Sequence, residues 1–327
     1  MSAYPLNPSV YADDVQREPI RAGFGRGLLE AGTRDSRVVA LCADLTESTQ
    51  MSLFRNAFPE RFVEVGVAEQ NLVTVASGMA LAGKIPFTSS YAAFSPGRNW
   101  EQIKTTAALN DQPVKVVGSH AGLNVGPDGA THQMLEDIAL MRVMPNMVVV
   151  APGDSIEAEK ATIAIAASGK PAYLRLARDK TPVFSTTDAP FEIGRAYVVR
   201  EGADVTLAGT GTMTYELLVA ARALAELGIE AEVLHVPTVK PLDEETILTS
   251  VRKTGRIVSA EEAQIAGGLG GAIAELLGKR LPRPLMRCGV DDRYGESGTP
   301  ADLFEAFRLT GAHLADQIEP FLQQSFD

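Results

Sequence analysis

What most restricts this chain is an alternation: apolar runs of strand length, each followed by a turn and then by a stretch with helical spacing. Strands that alternate with helices favour parallel pairing, because each crossover helix carries the chain back to the same end of the sheet. One unit shows this clearly. Phe62-Val63-Glu64-Val65 reads as a short strand and Gly66 permits a sharp turn. Leu72, Val75, Met79 and the neighbouring alanines then recur at three- and four-residue spacing, an apolar helix face that Gly83 stops. Glu69 falls in the first turn of that helix, at the carboxyl edge of the sheet, where open α/β sheets build their sites. Position alone also admits a plainer role. A first-turn Glu is favoured by the helix dipole, and with Gly66 as N-cap it holds the capping-box position.

The same pattern covers most of the chain. Residues 1–15 carry prolines and little periodicity and read as an arm. A helix is predicted over Arg17–Gly32, and strands over Arg37–Ala43, Ile85–Tyr91 and Val114–Gly118. Ser95-Pro96 is predicted to open a helix, Ser as cap and Pro at the first position. A Gly- and Pro-rich loop, Gly122–Thr131, precedes a helix from about Gln133. Met147–Val150, Asp154–Ser168 and Ala172–Leu176 form a strand–helix–strand run. After a linker at 181–194 the alternation restarts with Val205–Ala208, Met213–Leu227, Glu232–Val236, Leu242–Arg252, Arg256–Ala260 and Ala266–Gly278. Two C-terminal helices follow Thr299-Pro300 and Thr310-Gly311. The expected fold is α/β, with two three-layer α/β/α domains at 16–180 and 195–327. The 327 residues suffice for two cores.

Composition excludes some function classes. A net charge of −11 argues against nucleic acid or an anionic membrane surface as main partner. Cys42 and Cys288 are far apart and in no metal spacing, which fits a reducing compartment without a disulfide framework. The opening residues are polar and hold Asp13 and Asp14, unlike a signal peptide, and no apolar run reaches membrane-spanning length. A cytoplasmic location is expected.

Several polar or aromatic residues fall at or just after predicted strand ends: Asp44 and Ser48, Glu69, Tyr91 and Phe94, His120, and Arg178. Asp128 and His132 lie in the loop after His120. A set on successive strand ends is a site candidate. Asp128-Gly129-Ala130-Thr131-His132 also reads as a glycine turn with Asp or Thr capping the next helix. A metal shared by His132, Glu136 and Asp137 lacks a second nearby His. Arg17, Ser48, His120 and Arg178 together offer the donors that a phosphate monoester needs. Gly209-Thr210-Gly211-Thr212-Met213 is close to a dinucleotide fingerprint but lacks the third glycine. Gly267-Gly268-Leu269-Gly270-Gly271 reads as close helix packing rather than phosphate binding. His235 and His313 have no polar constellation in the sequence and read as structural.

Taken in order, Val65-Gly66-Val67-Ala68-Glu69-Gln70-Asn71, Ser119-His120-Ala121-Gly122-Leu123, Asp128-Gly129-Ala130-Thr131-His132-Gln133 and Met144-Pro145-Asn146-Met147 closely resemble the C-terminal half of transketolase. Residues from about 15 to 180 resemble the pyrimidine-binding domain of that thiamine diphosphate enzyme superfamily. Residues from about 195 to 327 resemble the transketolase C-terminal domain, including Glu261-Glu262 and Glu296-Ser297-Gly298-Thr299-Pro300. The family's metal and diphosphate segment, Gly-Asp-Gly with a later Asn, is absent from the chain.

The resemblance therefore implies the C-terminal subunit of a split, two-chain transketolase. A separate first subunit would hold magnesium or another divalent cation and the diphosphate, with two copies of each chain. Glu69 would hydrogen-bond the pyrimidine of thiamine diphosphate and drive the tautomer that activates the thiazolium carbon, in a buried, water-poor site. Tyr91 and Phe94 would flank the pyrimidine ring, and Asp44 would lie near the cofactor and the subunit contact. Asp128 would bind a donor hydroxyl, and His132 an oxygen near the reacting carbon. Arg17, Ser48, His120 and Arg178 would hold a sugar phosphate, His120 and His132 also counting with Glu69 as catalytic. The implied reaction is transfer of a two-carbon ketol unit from a ketose phosphate to an aldose phosphate, of the pentose phosphate pathway type. Alternatives are a deoxyxylulose-phosphate synthase-like or 2-oxoacid dehydrogenase beta-like subunit, or a non-catalytic partner-binding subunit. Ser119-His120 and the phosphate set favour a sugar phosphate over pyruvate. Two positions depart from the family: Gly97, where longer transketolases offer an aromatic, and Ala263, where His is expected.

Overall fold

The computed structural model describes residues 4–325. Its first half runs β1 (Arg17–Pro19), α1 (Ile20–Arg34), β2 (Val38–Cys42), α2 (Ser52–Ala57), β3 (Phe62–Glu64), α3 (Glu69–Leu81), β4 (Ile85–Tyr91), α4 (Trp100–Gln102) and β5 (Lys115–Ser119), then α5 (Asp137–Arg142), β6 (Val148–Val150), α6 (Ser155–Ala167), β7 (Ala172–Arg175) and β8 (Lys180–Pro182). The second half runs β9 (Tyr197–Arg200), β10 (Val205–Gly209), α7 (Met213–Glu226), β11 (Ala231–His235), β12 (Thr238–Lys240), α8 (Glu244–Thr254), β13 (Ile257–Gln264), α9 (Leu269–Arg280), β14 (Leu285–Val290), α10 (Pro300–Ala306) and α11 (Gly311–Gln323).

The main sheet has the order β12-β6-β7-β5-β4-β2-β3, and every pair except β12–β6 is parallel. Its register sets Glu64 beside Cys42, Tyr91 beside Ser119 and Gly118 beside Arg175, so these strands end along one edge. The second sheet, β14-β13-β10-β11-β9, is parallel except at β9.

Strand alternation divides the cores. Val38, Ala40 and Cys42 face Phe24, Leu28 and Ile165 from α1 and α6. Val39 and Leu41 face Leu72, Ala76 and Ile138 from α3 and α5. A strand buried on both faces reads as a continuous apolar run, which is how Arg37–Ala43 reads. The second domain repeats this arrangement: Val205 and Leu207 meet α7 and α11, and Ala208 meets α8 and α9. Each fully buried Leu, Val or Phe contributes about 1.5–3 kcal/mol.

Several local expectations are corrected. Arg17 opens a short strand antiparallel to β8, and the helix begins at Ile20. β8 therefore lies just before and within the stretch read as a linker. The arm is packed from Tyr4 onward, with Tyr4 and Val10 buried in the second domain's core. The Ser95-Pro96 peptide is cis, and the helix starts only at Trp100. The helix expected from Gln133 starts at Asp137, because Gln133 is spent on loop contacts. β12 joins the first sheet although it belongs to the second half of the chain.

Candidate functional site

Glu69 is the first residue of α3, and its N-cap, Ala68, makes no side-chain capping bond. Gly66, expected as the cap, turns the chain earlier with φ +73°. The Glu69 carboxyl is therefore free of a capping role. It is buried to 1% side-chain exposure, and Arg98 Nη1 donates to its Oε2 at 2.6 Å. The sequence reading anticipated the burial but not this cation. Asn99 Nδ2 donates to the Glu69 carbonyl at 2.8 Å and to Ser95 Oγ at 3.1 Å, which ties the 95–99 turn to the start of the helix. Among the described residues nothing hydrogen-bonds Glu69 Oε1.

From Glu69 an unbroken series of contacts crosses the sheet edge. The Arg98 guanidinium lies 4.9 Å from the Phe94 ring centre. Phe94 stacks on Tyr91 at 6.0 Å and meets His132 edge-on at 5.4 Å. Tyr91 stacks on His120 at 3.8 Å, and its hydroxyl lies 2.9 Å from Ser48 Oγ. Parallel pairing of β4 with β5 produces this cluster, since it sets the residues that follow Ser119 beside Tyr91.

His120 is buried, with its backbone in the left-handed region at φ 56°. Arg21 Nη1 lies 3.0 Å from its Nε2, and Ser119 Oγ lies 2.9 Å from its Nδ1. Because a guanidinium only donates, Nε2 is the acceptor, and a neutral ring then carries its proton on Nδ1. Burial, then the charges of Arg21, Arg178 and His132, push the His120 pKa down to about 3. Arg21 also donates to the Ser48 carbonyl at 2.8 Å, and Arg178 donates to the Val125 carbonyl at 2.5 Å. Burial and the charge of Arg178 lower the Arg21 pKa. Among the described residues neither arginine forms a salt bridge. Two guanidiniums thus lie beside a neutral imidazole, with the Asp179 carboxylate close enough to act on Arg21.

The structure thus brings together Glu69, Tyr91, Phe94, His120, His132, Ser48 and Arg178. Arg17 is not in this cluster. It sits on β1 and lines a separate crevice of about 400 Å³ with Asp179, Lys180, Glu216 and Thr310. Arg21, on α1, lies beside His120 instead. The sequence carried no signal separating the two, because only the β1-to-α1 transition decides which arginine faces His120. Asp44 is exposed at the end of β2, with φ 61° and its amide donating to Glu64 Oε1 at 2.7 Å. Asp128 is exposed in the 3-10 turn Leu123–Thr131, on the same loop as half-buried His132.

Two sequence models match the chain: the transketolase pyrimidine binding domain over residues 18–183, and the transketolase C-terminal domain over residues 194–314. The chain belongs to the transketolase family. It is 45% identical to the 6-deoxy-6-sulfo-D-fructose transketolase subunit of Clostridium sp. (strain MSTE9), covering 88% of this chain and 89% of that protein. A split gene transketolase, solved as an inactive beta4 tetramer, superposes with a TM-score of 0.88 at 42% identity, covering 93% of this chain and 98% of that one. The 1-deoxy-D-xylulose-5-phosphate synthase of Symbiobacterium thermophilum is 39% identical over 91% of this chain, which spans 46% of that enzyme. The chain is thus a transketolase-family C-terminal section of the split kind.

Membership in the transketolase family implies thiamine diphosphate. The residues present fit its aminopyrimidine end: a buried carboxyl with one oxygen unbonded, beside the stacked Tyr91 and Phe94 rings. Among the described residues no group of three or more His, Cys, Asp or Glu side chains is placed to hold a metal ion, so His132, Glu136 and Asp137 do not form one. Gly97 stands in a turn where a Cβ would lie 2.1 Å from the Ala93 carbonyl oxygen, so no aromatic side chain fits without rebuilding the turn. Ala263 is buried among Tyr173, Val149 and other core residues of the first domain, a setting that favours a small apolar side chain.

The glycine motifs are occupied by the protein itself. Glu261 accepts from the amides of Leu269 and Gly270 at 2.7 and 2.9 Å, so the N-terminus of α9 is already occupied by a carboxyl group. Thr212, in the Gly209–Met213 turn, donates to Glu262 Oε2 at 2.6 Å. His235 does have a polar constellation, contrary to the sequence reading: Glu157 Oε2 and Thr214 Oγ1 each lie 2.7 Å from its ring nitrogens, all buried between the domains. His313 pairs with Thr310 Oγ1 at 3.0 Å beside the cap of α11. Among the described residues no helix is long and apolar enough to cross a membrane.

Proposed function

We propose that this chain is the subunit of a two-chain transketolase that transfers a two-carbon ketol unit from a ketose phosphate to an aldose phosphate. A separate subunit would bind the diphosphate and its divalent cation, with two copies of each chain in the assembly. The observation that carries this reading is the continuity of the site: a buried carboxylate, a ring wall and an anion pocket, joined along one sheet edge by Glu69, Phe94, Tyr91 and His120. Thiamine diphosphate, when bound, supplies an electron sink for breaking the carbon–carbon bond. Glu69 would share a proton through Oε1 with the pyrimidine while Arg98 holds Oε2. His132 and Asp128 would bind sugar oxygens. Arg21, Arg178, Ser48 and neutral His120 would hold the phosphate.

A second donor class is favoured by one observation. Arg21 and Arg178, which form no salt bridge among the described residues, would suit a sulfonate as well as a phosphate, and a relative carries a sulfo-sugar name. The test mixes the full chain with its genomically adjacent diphosphate-binding chain, thiamine diphosphate and magnesium. Xylulose 5-phosphate or a 6-sulfonated ketose is then supplied with ribose 5-phosphate. Transfer is expected, and Glu69→Gln should lower turnover by at least about 100-fold with assembly unchanged. A product that requires pyruvate would overturn the reading, and so would Glu69→Gln with parental turnover.

A further inference from the structure

Among the described residues the second domain contributes no side chain to the ring wall or the proposed anion pocket, yet one of its carboxylates reaches the loop that carries half of the site. Glu262 lies on β13 and is fully buried. Its Oε1 accepts from the Asn124 amide at 2.6 Å, and its Oε2 accepts from Thr212 Oγ1 at 2.6 Å. The fit is close: a Cβ on Gly122, at φ +79°, would lie 2.3 Å from Glu262 Oε1. Two backbone bonds and one from a side chain hold the far side of the loop to the same region. Gly122 donates to Met134 at 2.9 Å, Gln264 donates to Leu135 at 2.8 Å, and Arg175 Nη2 donates to the Glu262 carbonyl at 2.7 Å. Gln133 Nε2 bridges the Gly126 and Glu296 carbonyls at 3.1 and 2.9 Å.

The clamped residues are next to the site. Asn124 Oδ1 accepts from the Asp179 amide at 2.5 Å, and the Val125 carbonyl accepts from Arg178 at 2.5 Å. Asp128 and His132 follow on the same loop. We propose that Glu262 is a positioning residue: from the second domain it fixes the Gly122–Val125 turn, and through it the Arg178 guanidinium and the Asp128–His132 segment. A buried carboxylate suits this task because it takes two donors from different elements at once and leaves neither unsatisfied. Burial raises the Glu262 pKa while Arg175 opposes that shift, so the guanidinium compensates the charge within the same core.

The positional claim stands on geometry alone, whereas its kinetic consequence rests on the reading under Proposed function. The test compares Glu262→Ala, Glu262→Gln and Thr212→Val in the full-length chain. Gln keeps an acceptor for Asn124 and can donate to Thr212, so it should restore what Ala loses. Hydrogen exchange of the chain alone should quicken roughly tenfold over residues 122–132 in Glu262→Ala, with β2 and β10 unchanged. Thr212→Val should show a smaller change in the same segment. It keeps the test open if Glu262→Ala fails to fold. With the partner chain and cofactor, Glu262→Ala should raise the KM for the phosphorylated donor about tenfold, with a smaller change in kcat. Unchanged exchange over 122–132 would overturn the proposal, and so would protection lost evenly through the second domain or a Gln variant as impaired as Ala. Absence of transfer in the parent enzyme would instead remove the functional reading, and the exchange result would still decide the clamp.

Discussion

Arg21 would set the charge of the proposed anion pocket. It donates to the His120 ring and to the Ser48 carbonyl, which aims its guanidinium into the cluster and fixes the imidazole tautomer together. His120, pushed down to about 3, stays neutral through the physiological range, so the positive charge of the pocket comes from Arg21 and Arg178. Arg21→Met keeps much of the apolar stem and removes the charge. It should raise the KM for a phosphorylated donor by roughly 10- to 100-fold, as expected for a charged hydrogen bond of about 1.5–3 kcal/mol. Steady-state kinetics with phosphorylated and unphosphorylated ketoses checks this, because the loss should vanish for the unphosphorylated sugar. Arg17→Met should leave both substrates unaffected. Glu69, His120 and Arg178 were legible in sequence because each sits just past a recognisable strand. Arg21 was not, because it lies inside a helix face where nothing in the spacing separates it from its neighbours.

Among the elements, α9 shows how a motif with a ligand-binding look is closed from within. Glu261, on β13, caps its N-terminus through two amides, and Gly268 is the residue that lets the carboxylate approach. A Cβ at Gly268 would lie 1.8 Å from Glu261 Oε2. Gly268→Ala should therefore drive the carboxylate off the helix terminus and destabilise the protein by about 2–3 kcal/mol. The midpoint of denaturant unfolding measures this, and an unchanged midpoint would show that the cap contributes nothing. Spacing alone reads this Gly-rich stretch as close helix packing, and the structure shows close approach there, by the Glu261 carboxyl at Gly268 and by Ser259 at Gly270. The elements misread from sequence were those whose limits are set by contacts far along the chain. β1 forms because Arg17–Pro19 pairs with Lys180–Pro182, and α5 starts late because Gln133 bridges Gly126 and Glu296.

Across the molecule, the two halves are interleaved rather than merely joined. β12 extends the first sheet from the second half, Tyr4 and Val10 of the arm enter the second core, and Glu157 meets His235 between them. Glu216 lies in the crevice near Arg17, with its carboxylate accepting from the Gly311 amide at 2.7 Å. Burial raises its pKa to about 7, against the Gly311 bond and the Arg17 charge. Its proton is bound more tightly in the folded than in the unfolded state. The stability it contributes is full below its unfolded value and is lost as pH rises through about 7. Glu216→Gln should remove that loss. At pH 8 it should be more stable than the parent by on the order of 2 kcal/mol, with the difference closing toward pH 5. Urea midpoints at the two pH values provide the comparison, and a constant difference would show that Glu216 does not titrate in this window.

The amino-acid order alone determined the α/β class, the existence of most strands and helices, and the place of Glu69 at a strand-to-helix turn. These follow from local periodicity and from glycines and prolines that act within a few residues of themselves. Only the tertiary structure decided that Arg98 holds Glu69, that Arg21 rather than Arg17 faces His120, and that Glu262 grips the loop of the other domain. Each of those pairings joins residues at least 29 positions apart in the chain. Such contacts are set by sheet order and domain packing, which leave no local pattern in the sequence.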